Sequence, residues 1–137
     1  IGVDTNDAPL KLFSGAELLI VQHRYVEAMA RLDSINLLFS SHTLGDDIYY
    51  KKAEIYFTLG KFLDVESMYK NILDYYADGL YGDDSQFKLA KLYQENLNDK
   101  ERAKTAYENV LKKYPGSIFT VEARQRFREL RGDILNN

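Results

Sequence analysis

Gly45-Asp46-Asp47 returns 37 residues later as Gly82-Asp83-Asp84, and the match continues past the turn. The same shift carries Tyr50 to Phe87, Lys51 to Lys88, Ala53 to Ala90, Ile55 to Leu92 and Tyr56 to Tyr93. The segments that follow repeat as well. Val65, Met68, Tyr69, Ile72, Leu73 and Tyr76 stand at i, i+3, i+4, i+7, i+8 and i+11, the spacing of one helix face. Ala103, Ala106, Tyr107, Val110, Leu111 and Tyr114 repeat that face after a shift of 38. Upstream, Tyr25, Ala28, Leu32, Ile35 and Phe39 form a looser third copy, with Ala28 placed 37 before Val65. A unit this short cannot hide its apolar face alone. Repeated units must therefore stack and bury their stripes against one another.

The stripes and their punctuation predict helices at about 8–22, 24–39, 46–59, 61–77, 83–97, 99–113 and 118–131. No stretch alternates with period two between turn signals, so no sheet is expected. Asn6 or Asp7 is placed to cap the first helix, with Pro9 in its first turn, where no hydrogen bond is lost. Asp46 and Asp83 are expected to cap the helices they precede, and Ser117, after Pro115-Gly116, the last one. Gly60 marks a tight turn and Gly132 the end of the final helix. Ala16, Ala53 and Ala90 on first helices, and Ala28 and Ala103 on second ones, fall where paired helices approach closely.

Composition excludes several classes of function. At 45% hydrophobic and 28% charged residues, the 137-residue chain has the make-up of a folded domain. Its net charge of −3 is too small to point to a polyanion, and neither a nucleic-acid partner nor a cofactor is expected. No run reaches the roughly 18 apolar residues of a bilayer span. There is no cysteine, which excludes disulfides and thiolate chemistry together. His23 and His42 belong to a turn and a loop without metal-ligand spacing. The paired carboxylates Asp46/Asp47 and Asp83/Asp84 recur at helix starts, so capping is expected of them ahead of acid–base catalysis. No phosphate loop, nucleophile elbow or HExxH motif is present, and no catalytic or metal site is expected. Tyr56, Tyr69, Tyr93 and Tyr107 fall on core-facing positions. Arg124, Arg126, Arg128 and Arg131 are diluted by Glu122 and Glu129, the pattern of a solvated helix face.

These residues resemble the tetratricopeptide repeat family. The family's alternation of small, aromatic and turn positions is met in the second repeat by Ala53, Tyr56, Gly60, Val65, Tyr69 and Ile72. The third meets it with Ala90, Tyr93, Ala103, Tyr107, Val110 and Pro115. The first is weaker, with Ala16, Leu19, Ala28, Leu32 and Ile35, and His23 in place of the turn glycine. The resemblance implies an all-α fold, a right-handed α-α superhelix of about three helix-turn-helix repeats with a C-terminal capping helix. The expected organisation is a lead-in at 1–7, a repeat domain at 8–131 and a tail at 132–137. Within the domain, repeats fall at 8–41, 46–79 and 83–115, with the capping helix at 118–131. The period is longer than the family's usual value of about 34. In that, and in the junction from Tyr114 to Phe127, the chain is similar to bacterial cell-envelope members: the outer-membrane-assembly lipoprotein and the Tol-associated periplasmic coordinator. A periplasmic or envelope location is implied. Because the chain starts at Ile1 without an initiator Met, it is expected to be an excised domain, with any targeting segment elsewhere.

The family's use of its concave groove implies a non-catalytic scaffold that docks a partner protein segment. Its groove positions correspond here to Phe13, Glu17 and Ile20, then Tyr50, Glu54 and Phe57, then Phe87, Lys91 and Gln94. For Tyr50 and Phe87, packing between repeats is an equal expectation. Glu17 and Glu54 stand where chaperone-binding members place Asn, which argues against a clamp for a C-terminal carboxylate. The competing reading is architectural: a terminal cap or self-association module of a longer envelope repeat protein. Phe119, Ala123, Phe127 and Leu130, on one stripe of the last helix, favour it.

Overall fold

The computed structural model describes residues 7–133. Over that span the chain is an all-α helical-repeat solenoid of seven helices. They are α1 (Asp7–Val21), α2 (Tyr25–Leu38), α3 (Gly45–Thr58), α4 (Phe62–Tyr75), α5 (Gly82–Glu95), α6 (Lys100–Lys113) and α7 (Thr120–Arg131). The pairs α1/α2, α3/α4 and α5/α6 are the three repeats, and each helix packs chiefly on its neighbours in chain order. Inside each pair the chain reverses through a residue in the left-handed region: His23 at φ 59°, Gly60 at φ 72° and Asn98 at φ 51°. These positions are 37 and 38 apart, the same steps that carry the apolar stripes.

The small residues stand where the pairs close. Ala16, Ala53 and Ala90 on the first helices, and Ala28, Val65 and Ala103 on the second, are all fully buried. One turn along the second helices, Leu32, Tyr69 and Tyr107 are buried, followed by Ile35, Ile72 and Val110. Tyr93 is buried too, while Tyr56 is only half-buried against the same core. The apolar interior forms two clusters. The smaller holds Ala16, Leu19, Ala28, Leu32 and Ile35 of the first repeat together with Ile48 and Ile55 of α3. The larger runs from Ala53 through the second and third repeats to Ala123 of α7, with Phe119, Phe127 and Leu130 against its edge. The last helix therefore lays its apolar stripe on the third repeat.

The helix starts differ from the expected caps. Leu44 and Tyr81, not aspartates, hold the N-cap positions of α3 and α5, and neither helix has a side-chain cap bond. Asp46 and Asp83 sit one residue inside the helix, where each accepts the N–H of the next residue, at 3.0 and 2.9 Å. Glycine at the first helical position lets a neighbouring side chain or backbone occupy the space a Cβ would need, which shifts the acidic pair inward. There the pairs join repeats: the Tyr81 hydroxyl donates to Asp47 at 2.9 Å, Tyr50 to Asp84 at 2.7 Å and Ser117 to Asp83 at 2.7 Å. Ser117 is not the cap of the last helix, which starts at Thr120 after Phe119. Its Oγ instead accepts the Phe119 N–H at 3.1 Å. Among the described helix starts from α2 onward, a side-chain cap forms at Asp99, which accepts the Arg102 N–H at the start of α6. Asp7 is the first residue of α1, and Asn6 lies outside the described residues. Gly132 closes α7 at φ 88°.

Candidate partner-binding cleft

The first helices of the repeats, with α7, present one shared face. Glu17, Glu54 and Lys91 occupy the same register position in α1, α3 and α5, and Lys51 and Lys88 stand three residues earlier. A chain of charges ties these helices side by side. Lys51 reaches Glu17 at 3.5 Å and Glu54 at 3.4 Å. Farther along, Arg126 of α7 bridges Glu95 at 3.0 Å and Glu122 at 2.8 Å. Between α3 and α5 this face opens into a cleft of about 450 Å³, lined by Glu54, Phe57, Lys88, Lys91, Glu95 and, at its base, Tyr69 and Leu92. Phe57 is half exposed at the end of α3, steadied edge-on by Phe62 of α4 at 5.5 Å. Burial pushes the Tyr69 phenol up to about 12, so it stays neutral at the cleft floor.

Of the nine expected groove residues, three line this cleft: Glu54, Phe57 and Lys91. Glu17 lies on the same face and is tied up by Lys51. Phe13 and Ile20 are half-buried against the first repeat's core. Tyr50 and Phe87 instead fill the joints between repeats. The Tyr50 ring stacks on Tyr81 at 4.4 Å, and its hydroxyl is held by Asp84 and Lys88. Burial, with the Asp84 carboxylate beside it, holds that phenol above its ordinary value. Phe87 is 5% exposed, stacked on Phe119 at 4.7 Å and edge-on to Tyr107. Gln94 is occupied as well, accepting from the Tyr107 hydroxyl at 2.6 Å and from Arg126 at 3.0 Å. Residues 50 and 87 are taken up in this way because the N-cap residue of the next helix, Tyr81 or Phe119, stacks on them.

Lys88, Glu95, Tyr69 and Leu92 line the cleft without having been expected there. The 37-residue register carries the signal for the first: Lys51 and Lys88 match, three residues before Glu54 and Lys91. Electrostatically the cleft is mixed. Glu54 and Glu95 are paired, and Lys88 faces Asp84 at 3.3 Å. Lys91 makes no ion pair among the described residues and lies 6.0 Å from the Phe87 ring centroid. An apolar floor with a charged rim suits an apolar side chain flanked by polar groups. Among the described residues there is no group of three His, Asp or Glu placed to hold a metal ion, and no helix long and apolar enough to cross a membrane.

A tetratricopeptide repeat model matches residues 84–117. The structure is similar to a solved tetratricopeptide repeat protein from Parabacteroides merdae ATCC 43184, with a TM-score of 0.69 over 94% of this chain at 16% sequence identity. The chain spans 48% of that protein's length. No curated protein sequence gives a significant match.

Proposed function

We propose that the chain, similar to tetratricopeptide repeat proteins in fold over its described residues and in sequence over 84–117, docks a segment of a partner protein in the cleft between α3 and α5. One observation carries this reading: a half-exposed phenylalanine and a lysine with no ion partner among the described residues share one cleft whose other ions are already matched. Phe57, with Tyr69 and Leu92, takes an apolar side chain of the partner. Lys91 takes an acidic group next to it. No catalytic role is assigned to any residue. A displayed peptide library tests the proposal: wild-type protein should enrich segments with an apolar anchor beside a carboxylate, and Phe57→Ser and Lys91→Glu should lose them. A motif captured equally by both variants would remove the cleft from the account.

The architectural reading is favoured by a separate observation at α7. Counted from the N-cap residues Tyr81 and Phe119, Ala90 and Tyr93 of α5 correspond to Arg128 and Arg131, both exposed. Where the other first helices receive their own second helix, α7 presents guanidinium groups, which suits a cap that closes the stack. The cell-envelope, periplasmic location stays part of the proposal through the resemblance of the Tyr114–Phe127 junction. Recovery of the protein in the cytosolic fraction of its cells would sink it.

A further inference from the structure

Helices α3 and α5 each carry a second stripe, aimed at the repeat before it. In α3 it is Ile48, Lys52 and Ile55, continued by Leu59 at the C-cap, and in α5 it is Ser85, Leu89 and Leu92, continued by Asn96. Ile48 and Ile55 are 2% and 0% exposed because they belong to the core of the first repeat, among Leu32 and Ile35 of α2. Lys52 reaches the same helix, meeting Asp33 at 2.6 Å. Leu89 and Leu92 are buried likewise at the next interface. In α1 the matching stripe is Lys11, Gly15, Leu18 and Gln22. Leu18, the counterpart of Ile55 and Leu92, is 58% exposed. Leu10 and Val21 on the same helix are also open, at 50% and 74%.

We infer that this face of α1 is a docking surface for the second helix of a further helix pair lying before it in the same polypeptide. The occupant is argued from an interface already present twice in the chain, between α2 and α3 and between α4 and α5, where the Leu18 position is sealed by a preceding second helix. Lys11 stands at the register of Ile48 and Ser85 and brings a charge to that edge, so the covering helix carries a carboxylate toward it. A second copy of the chain is the poorer occupant. The last described helix, α7, would offer this face Arg128 and Arg131 in place of an apolar second helix. The inference rests on the architectural reading, that the chain is part of a longer stack, and not on the cleft between α3 and α5.

A fusion tests it: residues 45–81, one complete repeat step, are placed directly ahead of Ala8 so that the 37-residue period is kept. With Leu18 covered, the α1 amides should gain protection from hydrogen exchange by a factor of about ten or more, the worth of burying one leucine. Leu18→Glu should abolish that gain in the fusion and leave the melting of the unfused chain unchanged. Unaltered exchange in α1, an added pair that stays unfolded, or a gain indifferent to Leu18→Glu would overturn the inference. So would an unfused chain that dimerises at high concentration through Leu18, since that assigns the face to a second copy. Loss of peptide binding by Phe57→Ser with α1 still protected would separate the two readings.

Discussion

Ser85 shows how much one position can depart from its register. Its counterparts Ile48 and Ala123 are apolar, and Ser85 is fully buried with no hydrogen-bond partner for Oγ. An unsatisfied buried hydroxyl costs about 1–3 kcal/mol. Ser85→Ala is therefore expected to raise stability by about 1 kcal/mol, read as a higher urea midpoint. Tyrosine supplies a second residue-scale expectation. Burial pushes Tyr69 and Tyr107 up to about 12, above the value of 10.0 they have when exposed. With a raised folded pKa, the neutral phenol of the folded state is fully favoured below pH 10. As pH rises from 10 toward about 12, the unfolded chain gives up these protons first and stability falls. Urea midpoints should thus drop across that window, and Tyr107→Phe should flatten the drop. Tyr69, Tyr93 and Tyr107 were legible as core positions from their spacing alone. For Tyr50 and Phe87 spacing left groove and joint equally expected, because the rings that cover them, Tyr81 and Phe119, arrive from the start of the next helix and nothing in the spacing shows how closely.

At the scale of the elements, helix starts separate what is local from what is not. Gly45 and Gly82 open α3 and α5 at equivalent positions, yet a Cβ would meet different things. At Gly45 it would lie 1.8 Å from the Tyr76 hydroxyl, the far end of a side chain that is 37% exposed and can swing away. At Gly82 it would lie 2.1 Å from the Ala77 backbone carbonyl, which already accepts the Tyr114 hydroxyl at 2.7 Å. Gly82→Ala is expected to cost roughly 1–3 kcal/mol and Gly45→Ala distinctly less, a ranking that thermal melts of the two variants will check. Helix lengths and turns were readable because they follow from period and from residues suited to the left-handed region. The caps were misplaced because Gly45 and Gly82, not the aspartates, open the helices, and because Asp83 and Ser117 pair with each other across the stack, whereas a sequence shows only the near neighbours of a carboxylate.

Across the whole molecule, cohesion is uneven. The second and third repeats and α7 share one continuous core, whereas the first repeat has its own, joined to the rest through Ile48 and Ile55. The α2–α3 contact is the thinnest between successive helices. In a linear array, stability is roughly the sum of unit and interface terms, so the unit with the thinner interface opens first. Native-state hydrogen exchange should show α1 and α2 opening at a lower free energy than α5 and α6. Uniform protection from α1 to α6 would contradict this. The candidate cleft belongs to the same scale: its walls come from α3 and α5 and its floor partly from Tyr69 of α4.

By itself the sequence determined the helical period, the 37-to-38-residue repeat and the small residues that let paired helices close. All three are written in spacing along one chain, which stays constant whatever the neighbours do. Tertiary structure alone decided which aromatic rings are spent in joints and which remain open. It also decided which hydroxyl each of Asp47, Asp83 and Asp84 accepts, and that Leu18 is bare where Ile55 and Leu92 are covered. Those outcomes depend on which side chain from another repeat arrives at a given point, and stacking sets that distance.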